Sequence, residues 1–297
     1  MSSTFLGAGP RAETSEAVVL GSSMATPYPD REPHATGGAD AIRAASLRLA
    51  RFAGNYDFDI GRPFAPWRSR IADAGDVNTA RADPEGNRRR IANEVGALLA
   101  ADTMPILLGG DDSVAEPFVA GWRDFGPITV VQLDAHLDFR NEVEGERHGY
   151  SSPMRRASEM EWVPRIVHIG QRGVGSARPA DVQDSITAGN TIVGAHELAE
   201  RGTAAVAEQL APGEPFVIVY DVDATDPAEL PAVRAPAAGG PGFAQIGELI
   251  SLLATRGDLR GLVVTEFEPE LDPSGMGALS LVRLVCRAID ARLGASD

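Results

Sequence analysis

The chain has 297 residues, 43% of them hydrophobic and 23% charged, enough apolar material to bury one large core, so a single domain spanning residues 1–297 is expected. Its 42 acidic against 27 basic residues give a formal charge of -15, which repels phosphate backbones and anionic lipids and argues against nucleic-acid or membrane partners. A lone cysteine excludes a disulfide framework, and no apolar run approaches the ~18 residues that span a bilayer. Met1 to Pro10 lacks the basic start and long apolar core of a secretion signal, so a cytoplasmic location is expected.

In chain order, Ala17 to Leu20 reads as a buried strand. Ser22 to Gly38 is rich in Pro and Gly and reads as a long surface loop, followed by a helix start at Asp40-Ala-Ile-Arg-Ala-Ala-Ser46. Asn55 to Gly75 reads as a second such loop. Asp83 to Ala101 has helical periodicity, Pro105 to Leu108 and Ile128 to Leu133 are apolar strand-length runs, and Arg165 to Ile169 and Thr191 to Val193 continue the series. Ala195 to Gln209 is a helix, Phe216 to Tyr220 a strand, Phe243 to Thr255 a helix, Leu259 to Val264 a strand and Ala278 to Leu293 a helix. Cys286 falls in the apolar pattern of that last helix and reads as a small buried hydrophobe. Short apolar runs alternating with amphipathic helices predict an α/β protein, a three-layer α/β/α arrangement with a central, mainly parallel sheet.

Four of the strand ends run directly into polar clusters: Gly109-Gly-Asp-Asp-Ser113, Asp134-Ala-His-Leu-Asp138, Asp221-Val-Asp-Ala-Thr-Asp226 and Thr265-Glu-Phe-Glu268. Ligands bind at the carboxyl edge of parallel strands, so the four clusters are expected to form one site. In an extended backbone Asp134, His136 and Asp138 point to one side, and Asp221 and Asp223 repeat the spacing. Converging carboxylates cost many kcal/mol to bury unless cations compensate, so the pattern implies bound metal. Oxygen donors with one imidazole suit Mn(II), with Ni(II), Co(II) or Zn(II) as competitors. An isolated Asp-x-Asp is a weak signal, because turns after strands favour Asp.

Together with Gly38-Ala-Asp-Ala-Ile-Arg-Ala-Ala-Ser46, Asp73-Ala-Gly-Asp-Val77, His148-Gly and Ile169-Gly-Gln-Arg-Gly173, these motifs resemble the ureohydrolase superfamily of arginases and agmatinases, in the same order and over nearly the whole chain. The resemblance is closer to agmatinase-like members. It implies an arginase-like fold and a hydrolase with two divalent ions, Mn(II) or alternatively Ni(II), that cleaves a guanidino C–N bond to give urea and an amine. It further implies that Asp134 and Asp221 bridge the ions, Asp138 completes one of them, and His136 and Asp223 complete the other. By the same resemblance His148 moves protons, Glu266 pairs with the substrate's guanidinium through charge-assisted hydrogen bonds, and Ser151 touches substrate. A homo-oligomer, trimer or hexamer, is implied, with a hetero-oligomer as the alternative.

The sequence departs from the family pattern in several places. Asp112 stands where a histidine ligand is usual, which adds a negative charge and favours a harder ion. Arg140 follows Asp138 and either faces a substrate carboxylate, neutralises the extra acid of Asp112, or serves as an ion-pairing surface residue; Tyr220 and Arg234-Ala-Pro-Ala-Ala-Gly-Gly240 also differ from the pattern. The alternatives are therefore a formimino or biguanide hydrolase, or a non-catalytic partner subunit. His34 reads as a solvated loop residue, with a place at the pocket edge, implied by the matching loop of the family, as the alternative; His168 reads as a satisfied core histidine, His196 as a helix-start residue, and Arg155 and Arg156 as structural ion pairs.

Overall fold

A computed structural model describes residues 3–175 and 177–294. Its strands are β1 (Ala17–Gly21), β2 (Tyr56–Asp57), β3 (Arg62–Pro63), β4 (Ile71–Asp76), β5 (Met104–Leu108), β6 (Thr129–Leu133), β7 (Ile166–Ile169), β8 (Thr191–Val193), β9 (Pro215–Asp221) and β10 (Asp258–Thr265). The helices are α1 (Gly38–Ala50), α2 (Pro84–Leu99), α3 (Ala115–Ala120), α4 (Pro153–Ser158), α5 (Pro179–Thr187), α6 (Ala195–Ala207), α7 (Phe243–Arg256) and α8 (Met276–Leu293). Apart from the β2–β3 hairpin, the strands join in one eight-stranded sheet of order β4-β1-β5-β10-β9-β6-β7-β8. Every neighbouring pair in it is parallel.

Successive residues of the central strands feed opposite faces, which is why their sequences read as unbroken apolar runs. Ile106, Leu108 and Ile218 pack with α1, α6, α7 and α8 residues such as Ile42, Leu198, Ile250 and Leu281. Leu107, Val217 and Val219 pack on the other face with Ile91 and Val95 of α2, Phe118 of α3 and Met154 of α4. The expected α/β/α layering is thus present, and Cys286 lies buried in the first of these layers.

Two sequence expectations need correction. Asn55 to Gly75 is not a loop throughout: it holds the β2–β3 hairpin, a 3₁₀ turn at Pro66–Arg70 and β4, the outermost strand beside β1. Strand β4 escapes a hydrophobicity reading because two of its six residues, Asp73 and Asp76, are acids held by Arg43. Asp73 accepts from the Arg43 Nε of α1 at 2.9 Å and from the Phe5 amide at 2.7 Å, and Arg43 also pairs with Asp76. Ser22 to Gly38 is irregular as expected, yet it is no surface loop, for Ser22, Ala25, Thr26, Tyr28, His34 and Ala35 are all buried. It folds across the carboxyl edge of the sheet, where Ser113 Oγ accepts the Ala25 and Thr26 amides at 3.2 and 2.9 Å. A Cβ on Gly110 would stand 1.9 Å from the Ser23 carbonyl oxygen, so this approach requires glycine there. No helix among the described residues is long and apolar enough to cross a membrane.

Candidate active site

The four polar clusters follow β5, β10, β9 and β6, and these are consecutive strands at the centre of the sheet. Their ends therefore meet at one place, as the carboxyl-edge argument requires. Asp112 opens a 3₁₀ turn after β5, and Asp223 sits in the turn Val222–Ala224 after β9, where the Asp221 carboxylate accepts its amide at 2.8 Å. Asp138 and Glu266 both adopt left-handed backbone, with φ of 46° and 66°. That conformation costs a non-glycine residue on the order of 1 kcal/mol or more, and the surrounding hydrogen bonds hold it. Arg172, after β7, donates to the backbone carbonyls of Gly170, Asp223, Ala224 and Ala237 and so ties the Asp223 turn to the end of β7, across the intervening β6.

Asp112, His136, Asp138, Arg140, Ser151, Asp221, Asp223 and Glu266 line one cavity of about 500 Å³. Asp134 lies beneath it, fully buried, and belongs to two groups of potential ligand atoms that each fall within 4.8 Å: Asp134, His136 and Asp223 on one side, Asp112, Asp134 and Asp138 on the other. His136 Nδ1 is 2.8 Å from Asp223 Oδ2. The Asp112 Oδ1 accepts from Thr265 at 2.8 Å, while its Oδ2 is buried without a hydrogen-bond partner among the described residues. An orphaned buried carboxylate oxygen in a site with four further buried aspartates, Asp134, Asp138, Asp221 and Asp223, fits a cation and is costly without one.

The electrostatics point the same way. Burial, then mutual repulsion, raises Asp112, Asp134 and Asp221 well above the carboxylate range. Burial lifts Asp138 to about 6. Burial works against a charged His136, but the hydrogen bond to Asp223 outweighs it and the ring rises to about 9. Without cations the cluster retains protons that bound metal would displace.

Behind Asp134 runs a buried chain: Gln132 donates its Nε2–H to Asp134 Oδ2 at 2.5 Å, His168 Nδ1 meets the Gln132 carbonyl, and Ser185 Oγ lies 3.1 Å from His168 Nε2. His168 is thus the satisfied core histidine expected. Burial pushes its pKa down to about 3. Between pH ~6.5 and ~3 the unfolded chain takes up a proton at this residue that the folded chain refuses, so this contribution to stability is complete above ~6.5 and falls with pH by up to about 1.4 kcal/mol per unit. In denaturant titrations His168→Gln is expected to flatten the acid-side loss of stability, and a slope equal to that of the unaltered protein would remove His168 as its source.

Other sequence assignments divide. Arg155 pairs with Asp184 and Arg156 with Glu159, as structural ion pairs. His196 is exposed at the start of α6. Asp226 accepts the amides of Ala228, Gly239 and Gly240 and supports the loop beside the cavity. His148 is not on the cavity wall: its Nδ1 lies 2.9 Å from both carboxylate oxygens of Glu116 in α3. His34, expected to be solvated, instead lines the cavity, 8% exposed, with Nε2 2.7 Å from Glu266 Oε2. Arg31, Tyr150 and Arg234 also line it. The atypical Arg234 segment was a signal for one of these, whereas Tyr150 was not singled out and Arg31 sits in an aperiodic stretch.

Comparison with known proteins gives a consistent result. A profile described as the arginase family matches residues 15–290. The chain is 30% identical to mitochondrial agmatinase of Gallus gallus over 93% of its own length and 82% of that protein. It is 32% identical to guanidinopropionase of Pseudomonas aeruginosa, covering 73% of this chain and 71% of the relative. Among solved structures, proclavaminate amidinohydrolase from Streptomyces clavuligerus superposes with a TM-score of 0.83 at 24% identity, covering 98% and 97% of the two chains.

Proposed function

This chain belongs to the arginase family and is an amidinohydrolase, an enzyme of linear amidine C–N bonds, and from that premise we propose that it hydrolyses a guanidino acid to urea and an amino acid. The observation that carries the reading is the polarity of the cavity: its floor is the aspartate cluster, while three arginines, Arg31, Arg140 and Arg234, line the same space. An amine such as agmatine would bring a second cation toward those arginines; a carboxylate would be attracted to them. Arg31 is engaged with Glu144 and Tyr150, and Arg234 with Glu268. Among the described residues the Arg140 guanidinium reaches one carboxylate, Asp181, at 3.5 Å, and that carboxylate is already bonded by Arg178. Arg140 is therefore the cation freest to take the substrate's acid group. The guanidinopropionase relative agrees with this class by its name.

Asp112, Asp134, His136, Asp138, Asp221 and Asp223 would hold the metal pair. Replacing an imidazole by the Asp112 oxygen favours Mn(II) over Ni(II). Bound there, divalent ions lower the pKa of water and stabilise developing oxyanion charge. Glu266 is assigned to the amidinium. Its Oε1 already accepts the Asp112 amide at 2.8 Å and its Oε2 meets His34, so each oxygen has one remaining lone-pair direction for substrate.

Purified protein loaded separately with Mn(II) and Ni(II), incubated with guanidino acids, agmatine, formimino and biguanide compounds and read by mass spectrometry, is expected to convert the guanidino acids best and with manganese. Preference for agmatine would overturn the substrate class. Silence with every compound at full metal occupancy would favour a non-catalytic partner subunit.

A further inference from the structure

We propose that His34 is a positioning residue for the hydrolysis, acting through Glu266, and that it stands where His148 was expected to work. The inference rests on the reading of Glu266 as the contact to the substrate's amidinium.

The reaction itself sets the requirement. Water's oxygen forms the new C–O bond, the bond from carbon to the departing nitrogen breaks, and both water protons end on that nitrogen as it leaves as an ammonium. Protons must therefore cross from one side of the amidinium carbon to the other, and the group that holds the amidinium must keep its orientation while they do. Glu266 is held at both oxygens, by the Asp112 amide at 2.8 Å and by His34 Nε2 at 2.7 Å, on a backbone with φ of 66°. The histidine is fixed in turn. Its ring stands edge-on to Tyr150, centroids 4.9 Å apart, and the next residue donates its amide to Glu268 at 2.8 Å. Ala35 also takes left-handed backbone, φ 54°, so strained residues lie on both sides of the His34–Glu266 contact.

His148 has none of this. It is bonded to Glu116 and lies off the cavity wall, about a third exposed. The groups that face His34 are Glu266 and Asp111, which favour its cation, Arg234, which opposes it, and the edge-on Tyr150 ring. Burial lowers the imidazole's pKa, but the bond to Glu266 outweighs that and the net shift is upward.

Two measurements test the proposal. In the metal-free protein, histidine-selective NMR titration is expected to show His34 titrating above the ordinary range, and to show this shift lost in Glu266→Gln; a His34 that titrates alike in both overturns the pairing whatever the enzyme's substrate. In the metal-loaded enzyme, His34→Ala is expected to lower kcat roughly 10- to 100-fold, the scale of a misaligned reacting group, with KM changed less and metal content preserved. His34→Gln, which keeps a donor for Glu266, should recover part of the loss, and His148→Ala should lose less than His34→Ala. A His34→Ala enzyme with unaltered kcat and pH profile, or one outdone by His148→Ala, overturns it. If the unaltered protein turns over nothing, the functional reading fails on its own and the titration still decides the dyad.

Discussion

Replacing Asp134 by asparagine is expected to cost at least ~10³-fold in turnover and to leave the chain with less than its full complement of metal. The carboxylate belongs to both groups of candidate ligand atoms, so its loss weakens both positions at once. It is also fully buried, accepting the His136 backbone amide at one oxygen and the Gln132 side-chain amide at the other, and the latter would face an amide in the variant. The stability of the metal-free protein should move the other way. In that state Asp134 is crowded by Asp138, Asp221, Asp223 and Asp112, and burial with their repulsion raises its pKa well above the usual range. Removing one acid from such a cluster relieves the folded state, so the metal-free variant should melt higher than the metal-free parent. Added Mn(II) should then stabilise the parent by about 2.7 kcal/mol at 100 times its dissociation constant and stabilise the variant much less. Equal metal content, equal turnover and equal stabilisation in the two proteins would rule out Asp134 as a ligand.

How much of this was readable beforehand depended on which physical signal each part carries. The strands that bear the site are buried on both faces, so β5, β6, β9 and β10 appear as unbroken apolar runs and their polar continuations mark the site at once. Strand β4 was not readable, because its place in the sheet is secured by the Arg43 pairs to Asp73 and Asp76, and those residues look like loop polarity in a linear reading. The short helices α3, α4 and α5 fell below the length at which periodicity registers. At the site the metal-type residues came together as their spacing required, since alternation along a strand is a local property. The histidine partner of Glu266 did not, because the contact joins residues 232 positions apart and depends on a loop that has no period. A histidine in an aperiodic, Pro-rich stretch looks solvated, and only the folding of that stretch over the sheet edge buries it. At His148 the motif is present and the side chain turns to Glu116, a contact that a linear reading does not show.

Arg140→Ala is expected to raise KM for a guanidino acid roughly 10- to 100-fold, the loss of one charge-assisted hydrogen bond in a partly enclosed site, while kcat at saturation changes little. Looser ion pairing separates this residue from its neighbours. Arg31 and Arg234 each have a closer carboxylate partner, so truncating either disturbs Glu144 or Glu268, and Glu268 in turn holds the Ala35 amide next to His34. Truncating Arg140 frees only a 3.5 Å contact to Asp181, whose carboxylate keeps two bonds to the Arg178 side chain and one to its amide. The fold should therefore survive, and denaturation midpoints of variant and parent should coincide. Charge also gives the experiment its sign. With agmatine, whose far end is an ammonium, removing Arg140 removes a repulsion, so KM for the amine should fall as KM for the acid rises. Opposite movements of the two constants would identify Arg140 as the group that reads the substrate's far end. Parallel losses would mean that it only supports the loop, and would withdraw the carboxylate from the proposed substrate.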